Sequence, residues 1–141
     1  MNSTIEKFGY PQTLVHEFEN WLVLLRPAQV TLGSLVLAAK SEATAFGDIP
    51  PEHFTGLAQA IAAIEAGLAA FTGFERINYL MLMMVDPHVH FHVIPRYSGQ
   101  REWHGHQFPD AGWPGVPDLK ATVQLNGEQI QNLTIEIETY F

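Results

Sequence analysis

The stretch "RINYLMLMMVDPHVHFHVIPRY", residues 76 to 97, constrains the fold more than any other part of the chain. Its first half is almost continuously apolar from Tyr79 to Val85, the mark of a strand buried on both faces. Asp86 and Pro87 then signal a turn. In the second half His88, His90 and His92 alternate with Val89, Phe91 and Val93, whose branched and aromatic side chains favour extended backbone. A period of two sends the three imidazoles to one face of a strand and the apolar residues to the other. The segment therefore predicts a central hairpin, in a sheet with a layer covering its apolar face.

The flanking sequence supplies the rest of such a sheet and its cover. Apolar runs at 13–18 and 21–25, around the polar pair Glu19 and Asn20, read as an N-terminal hairpin. "LGSLVLAAK" reads as a further strand after Gly33. Between Pro51 and about Thr72, Phe54, Leu57, Ile61, Ile64, Leu68 and Phe71 recur at helical spacing, with proline at the first turn and Gly73 placed to end the helix. Seven glycines and prolines between Gly99 and Pro117 predict a long ordered loop rather than regular structure. Asn126, followed three positions later by Gln129 and then by Ile130, Leu133 and Ile137, predicts a C-terminal helix. The expectation is an α+β chain forming a single domain over residues 1–141. It has an antiparallel sheet of about five strands, one long central helix, and a loop and C-terminal extension over 99–141.

Composition excludes several classes of function. The chain has no cysteine, so disulfides and thiolate metal sites are impossible. A net charge of −8, with only seven lysines and arginines, argues against nucleic acid as a partner. An anionic small molecule remains compatible with that charge if donors cluster locally in a cleft. The first ten residues lack a basic segment followed by an apolar one, and no run approaches the roughly 18 apolar residues of a membrane span. A soluble, cytoplasmic protein without a membrane partner is expected.

Three imidazoles on one face of a strand are costly to satisfy by accident, which points to chemistry. One reading is a metal site, with Asp86 nearby and the "HGH" of residues 104–106 available to contribute. Successive same-face residues lie roughly 7 Å apart along a strand, so a pair would converge on one ion more readily than a triple. The other reading is nucleophilic attack on phosphorus, where a linear row of imidazoles suits a linear array of phosphate oxygens. His16 and His53 read as surface residues, and His104 and His106 as parts of a loop over the site.

"HVHFHVI" resembles the signature of the histidine triad (HIT) family, His-x-His-x-His followed by two apolar residues. The order of hairpin, "LGSLVL" strand, long helix and triad hairpin resembles the family as well, up to about residue 98. The resemblance implies a homodimer acting on a small-molecule nucleotide, by hydrolysis or transfer at the α-phosphate of a nucleoside phosphoramidate or dinucleoside polyphosphate. It implies His90 as the nucleophile of a covalent nucleotidyl intermediate. His88 and His92 would orient the ring, contact phosphate and assist the leaving group, with no metal or other cofactor required. Arg96 and Ser34 are the further substrate-binding candidates. Ser34 stands where family members usually carry another histidine, and Arg26 stands near a position where they often place Asn or Asp for the ribose. The remaining alternatives are a metal-dependent enzyme built on the histidine cluster and a nucleotide-binding protein with little turnover.

Overall fold

A computed structural model describes every residue, Met1–Phe141. Its centre is a five-stranded, wholly antiparallel sheet. The strands are β1 (Leu14–Glu17), β2 (Trp21–Leu25), β4 (Leu35–Ala39), β6 (His90–Arg96) and β5 (Arg76–Leu80), in the spatial order β1-β2-β4-β6-β5. Two small ribbons complete the strands. β3 (Ala28–Gln29) pairs with β9 (Val123–Gln124), and β7 (Gln100–Trp103) pairs with β8 (His106–Pro109). The α+β class, the five-stranded sheet and both expected helices are therefore present.

Each face of the sheet has its own cover. Trp21, Val23, Leu25, Leu35, Leu37 and Val93 share one buried cluster with Leu57, Ile64 and Leu68 of helix α2 (Phe54–Thr72) and with Leu133 and Ile137 of helix α3 (Gly127–Glu138). Leu22, Leu24, Val36 and Ala38 point the other way and meet Ile5 of a short helix, α1 (Ser3–Lys7). Helix α2 is preceded by a single 3₁₀ turn at Pro51–His53 and ends at Gly73, whose φ of 61° places it in the left-handed region that glycine adopts without strain. The Asn126 side chain accepts from the backbone N–H of Gln129, and Gln129 answers from its own side chain, so α3 opens with a full capping box.

Two expectations are corrected, and one element is added. The run 81–85 is not strand: β5 stops at Leu80, lies at the sheet edge, and leaves Leu82, Met84 and Val85 exposed. An apolar run reads as doubly buried from composition alone, but an edge strand has a neighbour on one side only. Residues 99–117 are not all loop, because β7 and β8 form a hairpin whose two-residue turn, His104 and Gly105, has positive φ at both positions. Helix α1 was not foreseen; it is only five residues long and is tied down by Asn2, which caps it and donates to the carbonyls of Ala39 and Ser41.

The end of β6 is locked by a buried ion pair. Arg96 donates to Asp110 from Nε (2.7 Å) and Nη2 (3.1 Å), and also to Asn78 and to the Gly115 carbonyl. Both partners are nearly inaccessible, at 3% and 7% exposure. Removing one member of such a pair leaves the other buried and uncompensated. Arg96→Met is expected to lower stability by about 3–5 kcal/mol, and adding Asp110→Asn should recover part of it. Denaturant melts measure both; a loss below about 1 kcal/mol for Arg96→Met would contradict this account.

Candidate active site

The register of β4 against β6 sets Ala38 opposite His90 and Val36 opposite His92. Alternation along β6 sends Val93 into the α2 core and His90 and His92 to the α1 side. The two imidazole rings lie 5.1 Å apart at 78°, and the ring of Phe8, just past α1, packs against both at 5.6 and 5.7 Å. His88 precedes the strand and is turned toward α1. Its Nδ1 lies 3.0 Å from Thr4 Oγ1, and its Nε2 lies 3.3 Å from a carboxylate oxygen of Glu42. His90 and His92 share one face of β6, as the alternation predicts, whereas His88 lies just before the strand and not on it, and each of the three has a different partner.

Those partners determine the protons. His90 is fully buried, and its Nδ1 lies 2.7 Å from the backbone carbonyl of His88. A carbonyl only accepts, so Nδ1 carries the hydrogen and Nε2 keeps a free lone pair. That Nε2 is buried and has no hydrogen-bond partner in the protein. His88 faces a carboxylate through Nε2, so its hydrogen belongs there and Nδ1 accepts from Thr4. On the outer side of His92, Nδ1 receives a hydrogen bond from Nε of Arg26 at 3.3 Å.

His92 is 6% exposed, and its pKa falls from the ordinary 6.5 to about 4. Burial is the largest cause, followed by the positive charge of Arg26 and by His90, with Asp86 opposing them. Burial also lowers the pKa of Arg26. Asp86 itself is paired with Lys7 at 2.7 Å.

Two of the five residues singled out from the sequence do not join the cluster. Ser34 is fully buried; its hydroxyl donates to the Thr31 carbonyl and accepts from the Thr31 N–H, closing the turn before β4. Gly33, at φ 94°, brings that turn so close to α2 that a Cβ would lie 3.2 Å from both Leu68 and Thr72. Arg96 is engaged by Asp110, Asn78 and Gly115 and has neither a surface position nor a free donor edge facing the triad. It borders instead a cavity of about 830 Å³ between β5 and residues 113–117. His104 and His106 are not over the site. They lie beside Glu136 and Gln129 of α3, on the opposite side of the sheet. His16 and His53 are half-buried rather than surface residues, His16 against Phe18 and Phe141.

The neighbour of the histidines that sequence reasoning does not assign to them is Arg26, which reads there only as standing near the ribose position. It is 66 positions from His92, and nothing local marks it. No three histidine, aspartate or glutamate side chains in the protein converge as a metal ion requires.

No family model matches the chain, and no curated protein matches it in sequence. Solved structures do match in fold. A histidine triad (HIT) protein from Sinorhizobium meliloti superposes with a TM-score of 0.75 at 20% identity, covering 100% of this chain and 96% of that one. A histidine triad protein from Bradyrhizobium japonicum gives 0.70 at 16% identity, covering 99% and 96%. Plasmodium falciparum diadenosine triphosphate hydrolase, solved with Cyclomarin A, gives 0.66 at 11% identity, covering 97% and 92%. The likeness thus extends through the C-terminal region, beyond residue 98 where resemblance in sequence stops.

The low pKa of His92 has a consequence for stability. Between 6.5 and about 4 the unfolded chain binds the proton and the folded chain does not. The contribution of this group is therefore complete above pH 6.5 and is lost as the pH falls toward 4. The urea midpoint of the parent protein should drop more between pH 7.5 and pH 5 than that of His92→Asn. Equal drops would contradict the assignment.

Proposed function

We propose that this protein, a chain with the histidine triad fold, is a nucleotide hydrolase or nucleotidyl transferase that works through a covalent intermediate on His90. The observation that carries this reading is the state of the His90 ring, with Nδ1–H held on the His88 carbonyl and the Nε2 lone pair buried and unpartnered. A neutral imidazole so oriented has its nucleophilic atom ready and its other nitrogen fixed.

In the proposed reaction the Nε2 lone pair forms a bond to the α-phosphorus of a nucleoside phosphoramidate or dinucleoside polyphosphate. The bond to the leaving nitrogen or oxygen breaks, and the leaving group departs with its electron pair and takes up a proton from water. The ring becomes cationic, which strengthens the Nδ1–H bond to the His88 carbonyl as charge develops. Water then attacks the phosphorus and releases His90. His92 flanks this centre and offers its Nε2–H as a hydrogen-bond donor to a phosphoryl oxygen or the leaving group, whereas the His88 ring is engaged by Thr4 and Glu42 and its carbonyl orients the His90 ring. The ring of Phe8 packs against both imidazoles, so a phosphoryl group that reaches Nε2 of His90 has to displace that side chain.

Two further features belong to this reading. A cytoplasmic location suits an enzyme of nucleotide substrates. A homodimer suits the apolar surface left by the open edge of β5, with exposed Leu82, Met84 and Val85, and by helix α2. An 18-residue window of Pro51–Thr72 is as apolar as a membrane-crossing helix, although the helix is docked on the sheet along one face only. A second copy covering both patches accounts for that surplus.

His90→Asn should keep the fold and lower turnover of adenosine phosphoramidate or a dinucleoside polyphosphate by a factor on the order of 10³ or more. His88→Asn and His92→Asn should lose less, and chelation should leave the parent rate unchanged. Near-normal turnover by His90→Asn would contradict the nucleophile assignment, and activity lost to chelator and restored by zinc would favour a metal enzyme. Sedimentation at micromolar concentration should report a dimer that Met84→Asp weakens; a parent monomer would remove that part of the reading.

A further inference from the structure

Arg26 is a cation beside His92 without an anionic partner. It is half-buried at the end of β2, and none of the protein's ion pairs includes it. The backbone that carries it is held on all sides. The fully buried Gln29 side chain donates to the carbonyls of Arg26 and Ser34 and accepts from the N–H groups of Gly33 and Ser34. The Arg26 N–H donates to the Ser34 carbonyl. Within the guanidinium, Nη1 donates to the Ala28 carbonyl and Nε to His92 Nδ1, whereas Nη2 has no acceptor in the protein.

Two chemical consequences follow. A guanidinium only donates, so the ring atom it faces is an acceptor and the His92 hydrogen must sit on Nε2. A partly desolvated cation beside the neutral ring of His92, which itself lies 5.1 Å from the ring of His90 with its buried and unpartnered Nε2, is complementary to an incoming anion.

We propose that Arg26 is the specificity-determining and positioning cation of this site: its Nε locks His92 as the Nε2–H tautomer, and its free Nη2 edge takes a non-bridging phosphoryl oxygen of the substrate. The second half rests on the nucleotide reading above; the first half does not. The ligand class selected is one with an anionic phosphoryl group at His90, and a neutral nucleoside gains nothing from Arg26.

The first test needs no variant and no turnover. Long-range proton–nitrogen correlation spectra of the parent protein at pH 7 should give His92 a pyridine-like Nδ1 and a pyrrole-like Nε2; a hydrogen on Nδ1 would overturn the tautomer lock. The second test measures binding of adenosine monophosphate and adenosine to the parent protein, Arg26→Met and Arg26→Lys. Arg26→Met should weaken the monophosphate by about 10- to 100-fold while leaving adenosine nearly unchanged, and Arg26→Lys should recover part of the loss. Equal weakening of both ligands would mark Arg26 as structural only and overturn the proposal. Monophosphate binding that Arg26→Met leaves intact overturns the proposal alone, whereas no monophosphate binding to the parent overturns its phosphate half together with the nucleotide reading.

Discussion

The pairing of β4 with β6 is the constraint on which the site depends. With Ala38 opposite His90 and Val36 opposite His92, the neighbouring strand offers the two imidazoles only hydrocarbon. Their polar atoms must find partners elsewhere, and they find them in the His88 carbonyl and in Arg26. A slip of one residue would exchange the faces, sending the imidazoles toward α2 and Phe91 toward Phe8. The large apolar cluster on the α2 side opposes that slip, because Val93, Leu35 and Leu37 must stay within it. The core thus sets the register, and the register sets the protonation pattern.

Electrostatics around the triad run against those of the whole molecule. The chain carries a net charge of −8, yet the acidic groups near the triad are occupied, Asp86 by Lys7 and Glu42 by the Nε2 edge of His88. Arg26 remains as an unpaired cation between half-buried backbone and neutral rings. Such a local field, in a setting of reduced dielectric, favours a small anion where the global charge would repel a long one. The same arrangement lowers the pKa of His92 to about 4, so its ring is neutral near pH 7.

How legible each part was in the sequence depends on how local its cause is. Helix α2, its Gly73 stop and the Asn126–Gln129 capping box are written in residues three or four apart, and all three stand as expected. The strand character and alternation of residues 90–96 were equally readable, since a period of two needs only a few positions. The hairpin β7–β8 was hidden because glycine and proline, which mark loops, here supply its turn and its flanks. Ser34 and Arg96 looked like substrate ligands from their place beside the motif, but their hydrogen bonds run to Thr31 and to Asp110, partners that composition cannot assign. Arg26 is the extreme case, since its meaning lies in a contact across 66 residues that exists only once the sheet has formed.

The central claim is that the Nε2 atom of His90 forms the bond to phosphorus. The most direct measurement is to mix the parent protein with a dinucleoside polyphosphate, quench without acid within the first turnover, and locate the nucleotidyl group by peptide mass spectrometry and phosphorus–nitrogen coupling. The account predicts a stoichiometric adduct on His90 with phosphorus on Nε2 and Nδ1 still bearing hydrogen. An adduct on another residue, or steady turnover with no phosphorus–nitrogen bond at any time, would contradict it.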